Sequence, residues 1–163
     1  MSALVSTCLK VPEEREVPVP NRTLEEAGFY RVGHVSISRS SEFTVKYDVM
    51  PEAEWWVCSL YAFRIKGKVV RIGKTEGVLR QRIAAWQRDV TRALNGKRRK
   101  GGTTPQEAAD WKRLLTAGRH GDFLAMPILS PNVDVLRSKE RQLVEEYGPP
   151  LNHELTKKVR ISK

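Results

Sequence analysis

Cysteine is scarce in this chain: Cys8 and Cys58 are the only two among 163 residues. Two thiols build no disulfide framework, and neither is spaced from His34, His120 or His153 as a zinc site requires. Long hydrophobic runs are missing too. The longest near-apolar stretch, Trp55 to Phe63, is too short to span a bilayer. Met1 to Glu14 lacks the basic and apolar regions of a secretory leader. There is no internal repeat and no low-complexity tract. These absences argue against a membrane protein, a secreted disulfide scaffold and a zinc finger, and lead us to expect a soluble, cytoplasmic protein. What is present looks globular: 29% of residues are charged and 40% hydrophobic. A domain of this size buries roughly 70% of its unfolded surface, enough for a core without covalent staples.

The charge is unevenly spread. Lys and Arg number 29 against 19 acids, a net of +10. From Arg64 to Lys100 there are 13 basic residues and two acids, Glu76 and Asp89, so this segment carries +11 and the remainder −1. A neutral body with one strongly positive stretch suits a polyanion, because each phosphate contact releases condensed counterions. The expected partner is nucleic acid, DNA or RNA, with an anionic membrane surface as the alternative.

Residues 1–22, with Pro12, Pro18 and Pro20, read as an extended arm. Thr23 and Glu26 have capping-box spacing and predict a short helix to Gly28. Phe43, Val45, Tyr47 and Val49 alternate with polar residues and predict a strand that pairs with Val35 to Ser38. Trp56 to Ile65 and Lys68 to Ile72 predict a hairpin about a Lys66-Gly67 turn, with Thr75 as cap of the next helix. Leu79, Ile83, Trp86, Val90 and Leu94 give that helix its apolar stripe. A polar loop from Asn95 to Thr103 carries Lys97, Arg98, Arg99 and Lys100. Thr104-Pro105-Gln106-Glu107 then marks a helix start, and Gly118 its stop. Phe123 to Leu129 predicts a third strand, whose Pro127 favours an edge or a bulge. A last helix covers roughly Val133 to Tyr147.

Ile72-Gly73-Lys74-Thr75 between strand and helix imitates a P-loop. That loop needs a further glycine five residues before Gly73, where Lys68 stands, and the residues between are strand formers. A nucleotide triphosphatase is therefore not expected.

The last helix holds the most informative residue. Leu136, Leu143, Val144 and Tyr147 define its apolar stripe, and Glu140 lies on that stripe, while Glu145 and Glu146 fall on the other side. A core-facing carboxylate is costly unless paired or bound to a cation. Arg82 is similarly placed, at the edge of the stripe of its helix between Leu79 and Trp86. An acid and a base so placed suggest a site more than either does alone.

With these residues in view, the run Ser59-Leu60-Tyr61, then Gly67 through Thr75, then Leu79 and Arg82, resembles the GIY-YIG nuclease domain. So does Glu140 followed by Leu143, Val144, Pro150, Leu151 and Asn152. The resemblance spans 57–155. It departs from the family where Ser59 and Leu60 replace Gly and Ile, where Arg71 stands for the second tyrosine, and where Trp86 replaces a histidine or tyrosine. It implies an α+β fold: a small, mainly antiparallel three-stranded sheet flanked by helices, after a β-containing extension over 1–56, with a basic insertion near 88–104 and a basic tail over 156–163. It implies a metal-dependent DNA endonuclease. Glu140 would hold Mg²⁺, or Mn²⁺ in its place; Arg82 would contact phosphate oxygens; Tyr61 would orient or deprotonate the attacking water; Arg71 would add positive charge. Lys74, Arg80 and the Lys97 to Lys100 cluster would contact the DNA, and Asn152 would support the turn after the glutamate helix. A chain with little room after residue 155 for a DNA-reading domain resembles restriction-type or phage-encoded members, which implies double-stranded DNA as partner and a homodimer on a symmetric target. The rival expectation is a catalytically silent nucleic-acid-binding module on the same fold.

Overall fold

The computed structural model describes residues 19–129 and 132–152. Residues 1–18 of the arm expected over 1–22, and the basic tail expected over 156–163, lie outside the described residues.

Five strands and four helices follow in the order β1 (Tyr30–Arg39), β2 (Phe43–Val49), α1 (Pro51–Glu54), β3 (Val57–Ile65), β4 (Lys68–Val78), α2 (Leu79–Leu94), α3 (Pro105–Gly118), β5 (His120–Pro127) and α4 (Val133–Tyr147). The strands form one antiparallel sheet in the order β2-β1-β5-β3-β4. The sheet therefore has five strands, not the three expected. The early hairpin β1–β2 joins it because β5 pairs with β1 on one side, Val35 opposite Gly121, and with β3 on the other, Phe63 opposite Phe123.

Central strands covered on both faces read as unbroken apolar runs. Leu60, Ala62 and Leu124 face α4 with Leu136, Leu143, Val144 and Tyr147. Tyr61, Phe63, Phe123 and Ala125 face α2 and α3. On that second side Phe63 packs against Trp86 at 4.5 Å and Trp111 at 5.0 Å between ring centroids. Such aromatic pairs contribute about 0.5–1.5 kcal/mol each beyond area burial. Against that gain stand the buried indole N–H groups of Trp86 and Trp111, which have no hydrogen-bond partner among the described residues. Trp86 is thus core.

Several local expectations need correction. Thr23 and Glu26 do exchange both capping-box bonds, at 3.2 and 2.7 Å, but they open a single turn rather than a helix, ended by Gly28 at φ 104°. The second hairpin strand continues past Ile72 to Val78, so Thr75 sits opposite Ser59 inside the sheet, and Val78 is the residue before α2, with no side-chain cap. Strand β1 begins at Tyr30 instead of Val35. β5 is a central strand, with Pro127 tolerated because it stands at the end. Gly118 is still helical, and the turn falls on Arg119 at φ 64°. The Lys66-Gly67 turn forms as expected, both residues at positive φ, the twist that a two-residue hairpin needs.

Both sheet edges are closed by asparagine side chains. On β2, Asn95 accepts from the Phe43 N–H at 3.1 Å and donates to its carbonyl at 2.8 Å. On β4, Asn152 accepts from the Ile72 N–H at 2.9 Å and donates to its carbonyl at 2.6 Å. A side-chain amide here imitates one residue of a neighbouring strand and blocks edge-to-edge pairing. The neighbouring bond from Leu151 N–H to the Val70 carbonyl, 3.0 Å, extends this attachment. It ties the segment after α4 to the strand beneath the candidate site. Asn152→Ala is expected to cost about 2 kcal/mol, since both polar groups of Ile72 lose their partner. Urea unfolding against the unaltered chain measures this, and a change below a few tenths of a kcal/mol would show that water replaces the amide.

Candidate active site

The candidate residues meet around β4, the edge strand that Asn152 caps. From β3, Tyr61 is 3% exposed, its ring held between Phe63 and Phe123 at centroid distances of 5.9 and 6.1 Å. Its hydroxyl accepts a hydrogen bond from Nε of Arg82 at 2.8 Å. Since the oxygen accepts that bond, the phenolic proton is left to donate elsewhere. The Arg82 guanidinium carbon lies 5.6 Å from the Tyr61 ring centroid. Arg82 is exposed rather than packed under its helix, so its remaining N–H groups face outward.

Opposite Tyr61 on β4 stands Gly73. A Cβ at Gly73 would come within 2.4 Å of both Cζ and the hydroxyl oxygen of Tyr61. The tyrosine lies flat over the strand because that position carries no side chain. The glycine that imitated a P-loop element is thus a seat for the phenol.

Glu140 projects from α4, on the other face of the sheet from α2. It is half-buried, and among the described residues it makes no hydrogen bond and no ion pair. Burial pushes its carboxyl above its ordinary value, and Lys74, Arg71 and Arg82, in that order, pull against the rise. Three cations of the expected site thus act on one carboxylate, from both faces of the sheet.

Two of those cations are themselves partnered. Arg71 pairs with Glu107 of α3, and Lys74 Nζ lies 3.3 Å from Glu76. Glu107 was not anticipated as part of the site. Its place in a capping box already accounted for an acid there, and its backbone N–H does bond Thr104 Oγ1 at 3.2 Å. Its carboxylate goes instead to Arg71. Together Arg71, Lys74 and Arg82 face Glu140, Glu107 and Glu76, so three positive charges meet three negative ones.

These residues fit a Mg²⁺ ion of a particular kind. Mg²⁺ keeps several waters and takes one or two carboxylates plus phosphate oxygens. Glu140 offers one such carboxylate with its acceptor oxygens uncommitted. No group of three or more His, Cys, Asp or Glu side chains among the described residues could hold a metal unaided. The cations nearby disfavour a bare divalent ion and favour one that arrives with a phosphate.

The residues expected to contact DNA are not all gathered here. Arg80 is exposed near Trp55 and 4.0 Å from Glu54. Lys97 is paired with Glu42 at 3.0 Å, which fastens the loop after α2 to the β1–β2 turn. Arg98, Arg99 and Lys100 are exposed and make no ion pair among the described residues. They belong to the loop after α2, which folds back beside that helix: a Cβ at Gly102 would stand 3.3 Å from the Arg99 carbonyl oxygen and 3.8 Å from Asp89 Cγ.

No protein-family model and no curated protein matches the chain. Among solved structures it is similar to bacteriophage T4 EndoII, solved as a point mutant. The identity is 20% and the TM-score 0.54, over 76% of this chain and 91% of that one. It is also similar to the restriction endonuclease HPY188I, solved in complex with product DNA. There the identity is 15% and the TM-score 0.46, over 68% of this chain and 62% of that one, less than two thirds of its length. The likeness to EndoII shows a shared α+β fold. Among the described residues no helix is long and apolar enough to cross a membrane.

Proposed function

We propose that this chain is a Mg²⁺-dependent DNA endonuclease of the GIY-YIG type, hydrolysing phosphodiester bonds at specific sites in double-stranded DNA. The observation that carries the reading is Glu140: a half-buried carboxylate with no hydrogen bond or ion pair among the described residues, acted on by Lys74, Arg71 and Arg82, of which Arg82 bonds the Tyr61 hydroxyl. A binding module gains nothing from such an acid. The fold shared with EndoII and the segment of charge +11 support the same reading.

Each residue then has a task. Arg82 is held at its Nε by Tyr61, which leaves its terminal N–H groups for the non-bridging oxygens of the scissile phosphate. Tyr61, its oxygen accepting from Arg82, orients the attacking water with its remaining O–H. Arg71 and Lys74 exchange Glu107 and Glu76 for phosphate as DNA enters, adding positive charge where negative charge accumulates. Glu140 would hold Mg²⁺, or Mn²⁺ in its place, and a bound ion would supply charge neutralisation at the phosphate and the leaving oxygen. Two copies acting on a symmetric target would cut both strands.

Plasmid DNA with the purified chain in Mg²⁺, against the same mixture in EDTA, tests this. Discrete fragments in Mg²⁺ alone are expected. A plasmid shifted on a gel but left intact in Mg²⁺ and in Mn²⁺ would overturn the catalytic reading and leave a binding module.

A further inference from the structure

Beside the candidate active site lies a second feature that the mechanism does not use. Trp55, in the connection between α1 and β3, is 65% exposed, unusual for the largest apolar side chain. With Val78, Arg80, Gln81, Ala84 and Arg88 it lines an open cleft of about 480 Å³. Arg80, Ala84 and Arg88 recur every four residues along one face of α2, so the small alanine opens the floor between two arginines. Arg80 lies over the indole at 5.6 Å, and Glu54 is its distant partner at 4.0 Å. Among the described residues Gln81 and Arg88 make no hydrogen bond or ion pair.

We propose that this cleft is a nucleotide subsite, in which an unstacked nucleobase lies on Trp55 and its flanking phosphates meet Arg80 and Arg88. The inference rests on the DNA-endonuclease reading and deepens it. An aromatic face beside arginines matches a base with its phosphates, because stacking tolerates any base while the guanidinium groups hold the backbone. Bases of an intact duplex offer no free face, so the occupant is a base turned out of the helix or a single strand. Arg80 stands two residues before Arg82 on the same helix, which puts the cleft across the first turn of α2 from the phosphate-binding arginine, about one helix diameter away. Gln81 presents an amide that can reach the edge of the stacked base. The pair Arg80–Glu54 supplies a neutral rest state that the phosphate replaces.

The test compares two strands of equal length, octathymidylate and its abasic counterpart, by fluorescence anisotropy in EDTA with the full chain. Trp55→Ala should weaken octathymidylate binding about tenfold and leave the abasic strand unchanged, whereas Trp55→Phe should keep octathymidylate within about threefold. Arg88→Ala should weaken both strands alike and reduce the salt dependence by about one phosphate contact. Unchanged octathymidylate affinity in Trp55→Ala, equal loss on both strands, or no binding of octathymidylate by the unaltered chain would each overturn the subsite. So would a dimer that Trp55→Ala dissociates with no effect on strand affinity, since the indole would then serve a second copy of the chain. The nuclease reading is judged separately by the plasmid: cleavage in Mg²⁺ with no octathymidylate binding removes the subsite alone.

Discussion

Glu140→Gln is expected to lower Mg²⁺-dependent cleavage by about a thousandfold or more, while making the metal-free chain more stable at neutral pH. The rate falls because the amide is a poor ligand for a hard cation and takes away the one uncommitted carboxylate among the site residues. The gain in stability has a different source. Burial raises the Glu140 carboxyl above its ordinary value despite Lys74, Arg71 and Arg82. Its ionised form is therefore disfavoured in the folded state relative to the unfolded one. Above the raised value this costs stability, and below the ordinary carboxylate value, where both states are protonated, the cost disappears. Glutamine removes the cost, so the variant should gain at pH 7 and show no gain near pH 4. Urea unfolding at both values in EDTA checks the sign. A variant less stable than the unaltered chain at pH 7 would mean that the three cations outweigh burial, and the strain assigned to Glu140 would be wrong.

Gly73→Ala should damage both stability and activity, although glycine bears no functional group. The added methyl would need the space of Tyr61 Cζ and its hydroxyl, 2.4 Å away, and the ring cannot retreat because Phe63 and Phe123 pack against it. Overpacking of this kind costs about 1–3 kcal/mol. Displacement of the phenol by about an ångström should cost at least about a hundredfold in rate. Tyr61→Phe would not relieve the clash, since Cζ remains. Tyr61→Leu in the Gly73→Ala background should recover most of the melting temperature and none of the activity. Full activity in Gly73→Ala would show that the seat beneath Tyr61 is unimportant.

Much of the candidate site was legible in the chain because its oddities break a period. Glu140 interrupts the stripe Leu136–Leu143–Val144–Tyr147, and all four of those residues are buried together in the structure. Arg82 likewise stands at the margin of a helix stripe whose Leu79, Ile83, Trp86 and Val90 are buried. Glu107 was hidden by the opposite circumstance. It satisfied a local rule, so nothing marked its carboxylate as the partner of Arg71. The structure also distinguishes residues that charge alone had grouped: Lys97 is spent on Glu42, while Arg98 to Lys100 are exposed and make no ion pair among the described residues. A run of positive charge records how many cations a segment has, not which way each one faces.

Local physics accounts for the elements. The Lys66-Gly67 turn, the Thr104 cap, the helix stripes and the buried runs of β3 and β5 come from backbone conformation and from periods of two or 3.6 residues, and these need only neighbours in the chain. Strand order does not. That β5 enters between β1 and β3, joining the early hairpin to the three-stranded sheet that the resemblance implied, depends on pairings such as His34 with Asp122 and Tyr61 with Ala125, across some sixty residues or more. Loop closure of that length is settled by the whole core and carries no local mark. The site inherits the same division. The chain names Tyr61, Arg71, Lys74, Arg82 and Glu140, but β4 must lie at an edge before groups from opposite faces of a sheet can act on one carboxylate.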